Sequence, residues 1–249
     1  MGEPFSYDAI ADRYAAAVDA APYNALYERP ATLALLPPVA GAHVLDAGCG
    51  NGWYTEQLLA RGAAVTAVDG SAPMTAHAHA RIAALGALSD GAGIPRPGRA
   101  RVAAADLSRP LDFLADASVD GVVSALVLHY LRDWGPTLHE LRRVLRSDGW
   151  LVLSTHHPAE EAARLDVPDY FAVEEYEDDW KWLGTVRYWR RPLTATVDAL
   201  ADAGFAVERL VEPLPTEAFR AARPEAYARL RKRPGFLLVR ARPWPVARS

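Results

Sequence analysis

Short apolar runs and amphipathic stretches with helical spacing alternate along most of the chain. The runs that predict strands are Val44–Asp46, Ala63–Asp69, Arg101–Ala105, Val119–Leu128, Trp150–Thr155, Phe205–Val211 and Phe236–Ala241. The stretches that predict helices are Ser6–Val18, Asn24–Leu36, Trp53–Arg61, Ala72–Leu85, Trp134–Arg146 and Pro192–Ala203. Because strands that alternate with helices favour a parallel sheet covered on both faces, the pattern predicts an α/β, doubly wound fold.

The first two predicted helices precede this alternation. Ser6 is a suitable N-cap for the first helix, in which Tyr7, Ile10 and Tyr14 recur at helical spacing. The second helix stops before Pro37, which cannot continue it. The sequence therefore predicts a helical segment outside the sheet.

Three glycines, Gly48, Gly50 and Gly52, follow the first predicted strand and open a helix. Glycine has no Cβ, so a ligand can lie directly against such a loop, and the free N–H groups of the helix start favour an anionic group. A dinucleotide fingerprint would need a third glycine at position 53, where the chain has Trp53. The pattern predicts a nucleotide site that fits NAD poorly, although a glycine turn without a ligand remains an alternative.

Acids stand at the ends of three successive predicted strands, at Asp46, Asp69 and Asp106. In an open parallel sheet these ends meet in one crevice. Asp69 lies about twenty residues after Gly48, where a carboxylate can accept hydrogen bonds from the ribose hydroxyls of an adenosine. Any one of these acids could equally be a helix cap or a surface charge.

The order acid-x-Gly-x-Gly-x-Gly from Asp46 to Gly52 resembles the first motif of class I S-adenosylmethionine-dependent methyltransferases. The resemblance covers about Leu36 to Ala241. It implies that the loop and Asp46 hold the cofactor's amino-acid end, that Asp69 accepts from the ribose, and that Asp106 accepts from the adenine amino group. The cofactor-binding residues that it implies are Tyr14, Arg29, Asp46, Gly48, Cys49, Gly50, Asp69, Gly70, Met74, Asp106, Leu107, Ala125 and Leu126.

The resemblance implies a three-layer, Rossmann-like fold with a mostly parallel seven-stranded sheet in a single domain, residues 1–249. Four parts are expected: a helical lid segment (1–36), a cofactor-binding core (37–158), a cap segment inserted on the acceptor side (159–191) and the end of the sheet (192–249). His129-Tyr130-Leu131 stands where some enzymes that methylate base amino groups carry Asn/Asp-Pro-Pro-Tyr. The chain is therefore most similar to the ubiquinone-biosynthesis-type, small-molecule branch.

The cap segment is rich in aromatic residues and acids. Aromatic side chains suit a planar, apolar acceptor, and a row of acids disfavours RNA. The alternative is a small subdomain whose aromatics form its own core. The residues predicted to contact the acceptor are Tyr130, His157, Tyr170, Trp182 and Tyr188.

Acceptors that lose a proton on methylation need a base that works near neutral pH, which is the usual role of histidine. His129 follows the fourth predicted strand and His156 the fifth, so these two are the candidate bases. A hydrogen-bonded structural role is the alternative for both. No metal site is expected, because His77 and His79 point to different helix faces and Pro158 separates His157 from Glu160.

Bulk properties narrow the function classes. The 249 residues carry a formal net charge of −4, so no overall field attracts nucleic acid or an acidic membrane. Cys49 is the only cysteine, which excludes an internal disulfide. With no signal peptide and no apolar run long enough to span a bilayer, a cytoplasmic monomer or homodimer is expected.

The resemblance implies an enzyme that transfers a methyl group from S-adenosylmethionine, and the aromatic cap segment favours a small, aromatic or heteroaromatic acceptor, methylated at O, N or C. Natural-product biosynthesis is a candidate setting. One alternative is a methyltransferase that acts on RNA or protein through a basic cluster in residues 213–233. Because no stacking pattern of aromatic residues accompanies this cluster, a solvated helix face is the better interpretation. The other alternative is a protein that binds S-adenosylmethionine or a nicotinamide cofactor without transferring a methyl group.

Overall fold

The structure, a computed structural model, describes residues 7–91, 93–180 and 183–244. Its strands are β1 (His43–Ala47), β2 (Ala64–Asp69), β3 (Ala100–Ala104), β4 (Val119–Ala125), β5 (Leu145–His156), β6 (Glu174–Trp180), β7 (Gly184–Arg190), β8 (Phe205–Val211) and β9 (Phe236–Pro243). Its α-helices are α1 (Ala11–Ala17), α2 (Arg29–Leu35), α3 (Trp53–Ala60), α4 (Ala72–Ala84), α5 (Gly135–Val144), α6 (Pro158–Arg164), α7 (Leu193–Asp202), α8 (Glu217–Ala222) and α9 (Pro224–Leu230).

Seven strands form one sheet in the order β3-β2-β1-β4-β5-β9-β8. The strands from β1 to β5 are mutually parallel, and β9 is antiparallel to both of its neighbours. The order of the strands therefore reverses between β1 and β4, and the carboxyl ends of these two strands flank that switch point.

Helices cover both faces of the sheet, because its buried strands are apolar on both sides. Val44 of β1 packs with residues of α2, α3 and α4, whereas the next residue, Leu45, packs with residues of α5 and α7. This alternation is the period of a strand. The predicted doubly wound, three-layer fold is confirmed.

The lid and cap segments differ from their expected elements. The second lid helix begins as a π-helical turn, Asn24–Glu28, and continues as α2, with Pro30 in its first turn. Proline has no N–H to donate to the preceding turn, which explains the break in the regular ladder. The cap segment, for which the sequence predicted no elements, contains α6 and the hairpin β6–β7.

The connection between the last two sheet strands holds two short helices, α8 and α9, where one was expected; Pro224 begins the second. Of the helices in the described ranges, none combines the length and apolar character needed to cross a membrane.

Candidate active site

The glycine-rich loop after β1 is shaped by its backbone. Gly48, Gly50 and Gly52 have φ angles of +84°, +53° and +82°, which residues other than glycine rarely adopt. The amides of Gly48 and Cys49 both donate to the Val68 carbonyl at 2.8 Å, which ties the loop to β2.

The two sides of this loop differ in free space. A Cβ atom on Gly48 would lie 2.2 Å from the Val127 side chain, so only glycine fits there. At Gly50 a Cβ would meet no atom within 4 Å. The loop thus packs against the protein at Gly48 and faces open space at Gly50, where a ligand has room.

Asp69 connects the loop to the start of α4. Its Oδ2 accepts from the Gly50 amide at 2.8 Å and its Oδ1 from the Ser71 amide at 2.9 Å. Burial raises the pKa of Asp69, and the two amides oppose that shift. Each carboxylate oxygen retains a second lone pair for a ligand hydroxyl.

Asp46 lies beneath the loop. Its carboxylate is buried and accepts from the Thr55 hydroxyl of α3 at 2.6 Å. Burial raises the pKa of Asp46 to about 7, and the Thr55 hydrogen bond opposes that shift. The side chain therefore anchors the loop to α3, and its predicted contact with a ligand stays a prediction.

The third acid, Asp106, is exposed beyond β3 and accepts from the amide and the hydroxyl of Ser108 at 2.9 and 2.7 Å. Leu107 and Met74, which the resemblance assigns to the adenine, are buried, and Gly70 follows β2. Predicted roles for all four toward adenosine are compatible with these positions and stay predictions.

Arg29 in the lid segment has an incomplete set of partners. Its Nη2 donates to Asp19 at 3.0 Å, and its guanidinium lies over the Trp53 ring at 4.2 Å from the centroid. Its Nη1 is buried and has no hydrogen-bond partner among the described residues. A buried, unpaired guanidinium nitrogen is costly and favours an anionic ligand.

Two further lid residues surround this arginine. Tyr14 is half-buried near it, and desolvation raises the pKa of Tyr14 to about 12. The carboxylate of Glu28 is buried and accepts from Tyr54 at 2.8 Å and from Ser154 at 2.6 Å. No local pattern in the sequence marks Glu28, because its carboxylate binds residues that are 26 and 126 positions away.

A cavity of about 830 Å³ opens beside the ends of β4 and β5, under the lid and cap segments. Leu126, which follows β4 with a φ of +56°, and Tyr14 both line it, so the cavity adjoins the predicted cofactor residues. The aromatic side chains in its wall are Tyr7, Tyr14, Tyr23, His129, Tyr130, His156, Trp180 and Phe236. Cavities of this size and lining bind small organic ligands.

The two predicted bases lie together in the wall of this cavity. The His129 and His156 rings stack with centroids 4.4 Å apart and planes 19° apart. Nδ1 of His156 is 2.7 Å from Oε1 of Glu161. Neither ring nitrogen of His129 has a hydrogen-bond partner within the described ranges. The pKa of His129 is lowered, mainly by burial and to a smaller extent by the charges of His156 and Arg191.

Of the predicted acceptor residues, Tyr130 lines the cavity and Tyr188 lies behind it. The Tyr188 ring is buried 5.0 Å from the His156 ring, and its hydroxyl accepts from Arg164 at 2.6 Å. Its predicted direct contact with the acceptor stays a prediction. Trp182 lies outside the described residues.

His157 and Tyr170, also predicted to contact the acceptor, are not among the residues that line the cavity. His157 caps α6 through the Ala159 amide at 3.3 Å, and its Nε2 is 2.8 Å from Glu212, away from the cavity. Tyr170 accepts from the Leu193 amide at 3.2 Å and packs on Arg190, also outside the cavity wall. The predicted acceptor contacts of both stay predictions; in this structure His157 binds Glu212, and Tyr170 binds the Leu193 amide.

Cys49, the loop cysteine, is buried, and burial raises the pKa of its thiol well above the ordinary value, which disfavours the reactive thiolate. Within the described part of the chain, no group of three or more His, Cys, Asp and Glu side chains is arranged to hold a metal ion.

Comparisons with known proteins agree with this geometry. A family model described as a methyltransferase domain matches residues 45–153. The crystal structure of an S-adenosylmethionine-dependent methyltransferase from Mesorhizobium loti is 30% identical, covers 86% of this chain and 97% of that one, and superposes with a TM-score of 0.66.

Two curated relatives carry named substrates. A tRNA U34 carboxymethyltransferase from Methylococcus capsulatus is 31% identical over 73% of this chain and 50% of its own length. A malonyl-[acyl-carrier protein] O-methyltransferase from Erwinia pyrifoliae is 34% identical over 45% of this chain and 36% of its own length. The chain thus matches half or less of the length of these two relatives. Taken with the seven-stranded sheet and its glycine loop, these matches show that the chain belongs to the class I S-adenosylmethionine-dependent methyltransferases and that its cofactor is S-adenosylmethionine.

Proposed function

We propose that this enzyme methylates a small aromatic or heteroaromatic molecule in the biosynthesis of a small-molecule product. The observation that carries the proposal is the cavity of about 830 Å³, whose wall of aromatic rings adjoins Tyr14 and Leu126. Planar rings of the acceptor would stack on these side chains. Residues 1–36 would act as its lid and residues 159–191 as its cap.

The residues present fit S-adenosylmethionine at the glycine loop. Gly50 would face the amino-acid end of the cofactor across the open side of the loop, the unpaired Nη1 of Arg29 would bind its carboxylate, and Asp69 would accept from its ribose. When bound, the cofactor supplies a methyl group on a positively charged sulfur.

The chain's own part in the reaction is orientation and proton removal. The cavity walls would hold and orient the acceptor, and orientation of this kind supplies much of the rate in bimolecular steps. His156 lies in the wall with one ring nitrogen bonded to Glu161 and the other left for the acceptor. It would take the proton that a hydroxyl or N–H group loses.

A methylation screen with methyl-labelled S-adenosylmethionine tests the proposal. Naphthols, hydroxyquinolines, indoles and anilines would be compared with bulk RNA and with an acidic carrier protein. We expect saturable labelling of at least one planar small molecule. Labelling of RNA or protein alone would contradict the proposal.

The second candidate, an acceptor borne by RNA or protein, rests on one observation. Arg223 and Arg229 of the basic cluster line the cavity, and the exposed side chains of Arg231, Lys232 and Arg233 continue it outward. Relatives that act on tRNA and on an acyl-carrier protein are compatible with this surface. Reversing the last three charges to Glu should abolish labelling of a macromolecule and leave labelling of a naphthol unchanged.

A further inference from the structure

His156 and Glu161 are brought together by the turn between β5 and α6. His156 is the last residue of β5, and Glu161 lies in the first turn of α6, which Pro158 begins. Their side chains are 13% and 7% exposed, and Nδ1 and Oε1 are 2.7 Å apart. A hydrogen bond this short between two largely buried groups holds the imidazole ring in one orientation.

This contact decides which ring nitrogen carries the proton. An ionised carboxylate can only accept a hydrogen bond, so Nδ1 of a neutral His156 must donate to Glu161. Nε2 then carries the lone pair, and it makes no hydrogen bond within the described part of the chain. Since His156 lines the cavity, this lone pair is available to an acceptor there.

The groups around His156 keep its ring in place. The His129 ring stacks on one face, and the Tyr188 ring packs edge-on with centroids 5.0 Å apart. Several titratable or charged side chains of neighbouring elements surround His156. They are His129 on the turn after β4, Glu161 and Arg164 on α6, Tyr188 on β7, and Arg191 after β7.

We propose that Glu161 is a positioning residue that fixes His156 as the base, and that the acceptor is therefore one that loses a proton, a phenol-type hydroxyl or a heteroaromatic N–H. This inference rests on the proposed function. A lone pair of the acceptor atom forms the bond to the methyl carbon, and the carbon–sulfur bond breaks with its electrons remaining on sulfur. The proton of the acceptor passes to Nε2 of His156 and later to water.

Nitrogen-15 NMR of the imidazole rings tests the first half without an acceptor. With His156 assigned by His156→Asn, we expect the Nδ1–H tautomer in the wild-type enzyme. Glu161→Gln should change the tautomer ratio and the Nδ1 resonance, because the carboxylate that accepts from Nδ1 is gone. Glu140→Gln, which removes a carboxylate that binds Arg143 on α5, is the matched control and should change neither. An Nε2–H tautomer in the wild type would overturn the inference.

Kinetics with 2-naphthol and quinoline, two bicyclic acceptors of similar shape, test the second half. Only 2-naphthol has a proton to lose. We expect Glu161→Gln to lower kcat for 2-naphthol about 100-fold with little change in KM, and to move the acid limb of the pH profile to lower pH. Glu161→Asp should restore part of the rate, and quinoline methylation should change little.

The two proposals fail in different ways. If the wild-type enzyme labels neither these compounds nor any in the wider screen, the proposed acceptor class is wrong, whatever the NMR spectra show. If it labels 2-naphthol and Glu161→Gln keeps the wild-type kcat and pH profile, the role of Glu161 is wrong and the proposed function stands.

Discussion

The cofactor edge of the sheet and the acceptor cavity lie side by side but are constructed differently. The cofactor edge consists of backbone: three glycines with positive φ, amides that bind Val68, and Asp69 bonded to Gly50. The cavity consists of side chains from segments far apart in the sequence, which include Tyr14, His129, His156 and Arg229. The first depends on local spacing and the second on tertiary packing.

Because of this difference, the glycine loop determines which cofactor binds, and the cavity wall determines which acceptor binds. A loop whose shape depends on glycine conformations tolerates few residues, so one cofactor is fixed. A wall of side chains on a helical lid and an inserted hairpin can change without disturbing the sheet. Substitutions in the two regions should therefore have distinguishable effects on cofactor affinity and on turnover.

The largest expected effect is on the acceptor side. His156→Ala should lower kcat by about a thousandfold for a proton-bearing acceptor, because it removes the base, and leave cofactor affinity unchanged. His157→Ala is the matched control, since that side chain caps α6 and faces Glu212. Its kcat should stay within about twofold of wild type. Equal losses of kcat in the two variants, measured under saturating cofactor, would show that the cavity assignment is wrong.

Alanine substitutions at two loop glycines should separate folding from binding on the cofactor side. Both positions cost about 1–2 kcal/mol in backbone strain, because their φ angles are positive. Gly48→Ala also meets Val127, so it should lower the thermal midpoint more than Gly50→Ala does. Gly50→Ala should instead raise the Kd for S-adenosylmethionine about tenfold, since its Cβ enters the open side of the loop. Thermal unfolding with and without cofactor measures both effects, and equal effects at the two positions would refute the difference in packing.

The smallest effect concerns the pH dependence of stability. Because burial raises the pKa of Asp46 to about 7 in the folded state, its contribution to stability is complete below about pH 4 and is lost as the pH rises through 7. Asp46→Asn cannot ionise and still accepts from Thr55. Its thermal midpoint should gain on the order of 5 °C relative to wild type between pH 5 and pH 8. A constant difference between the two proteins over this range would contradict the buried, uncharged carboxyl.

The fold and the cofactor edge were predictable because their signals are local. Alternating strands and helices predicted the doubly wound sheet, and the spacing of Asp46, Gly48 and Asp69 predicted one crevice. Strand and helix periods depend on a few neighbouring residues, as does a glycine loop.

The acceptor side was predictable only in part. His129 and His156 were identified by their places after strands, but Glu161 was missed because its contact with His156 depends on how Pro158 turns the chain. The contact of His157 with Glu212 could not be predicted for the same reason, since neighbouring residues of an extended chain point to opposite faces. The cap hairpin was not predicted because its strand β6 is acidic, alternates between half-buried and exposed residues, and has no apolar run.

Calorimetric titration of S-adenosylmethionine into wild type, Asp69→Ala and Asp120→Asn tests the central claim most directly. Asp69 lies at the cofactor edge, whereas Asp120 binds the His43 amide at the opposite end of the sheet. Losing hydrogen bonds to a charged group costs about 1.5–3 kcal/mol, so Asp69→Ala should raise Kd by roughly 10- to 100-fold, with Asp120→Asn close to wild type. An Asp69→Ala protein that remains folded and binds the cofactor as tightly as wild type would contradict the site described at the ends of β1 and β2.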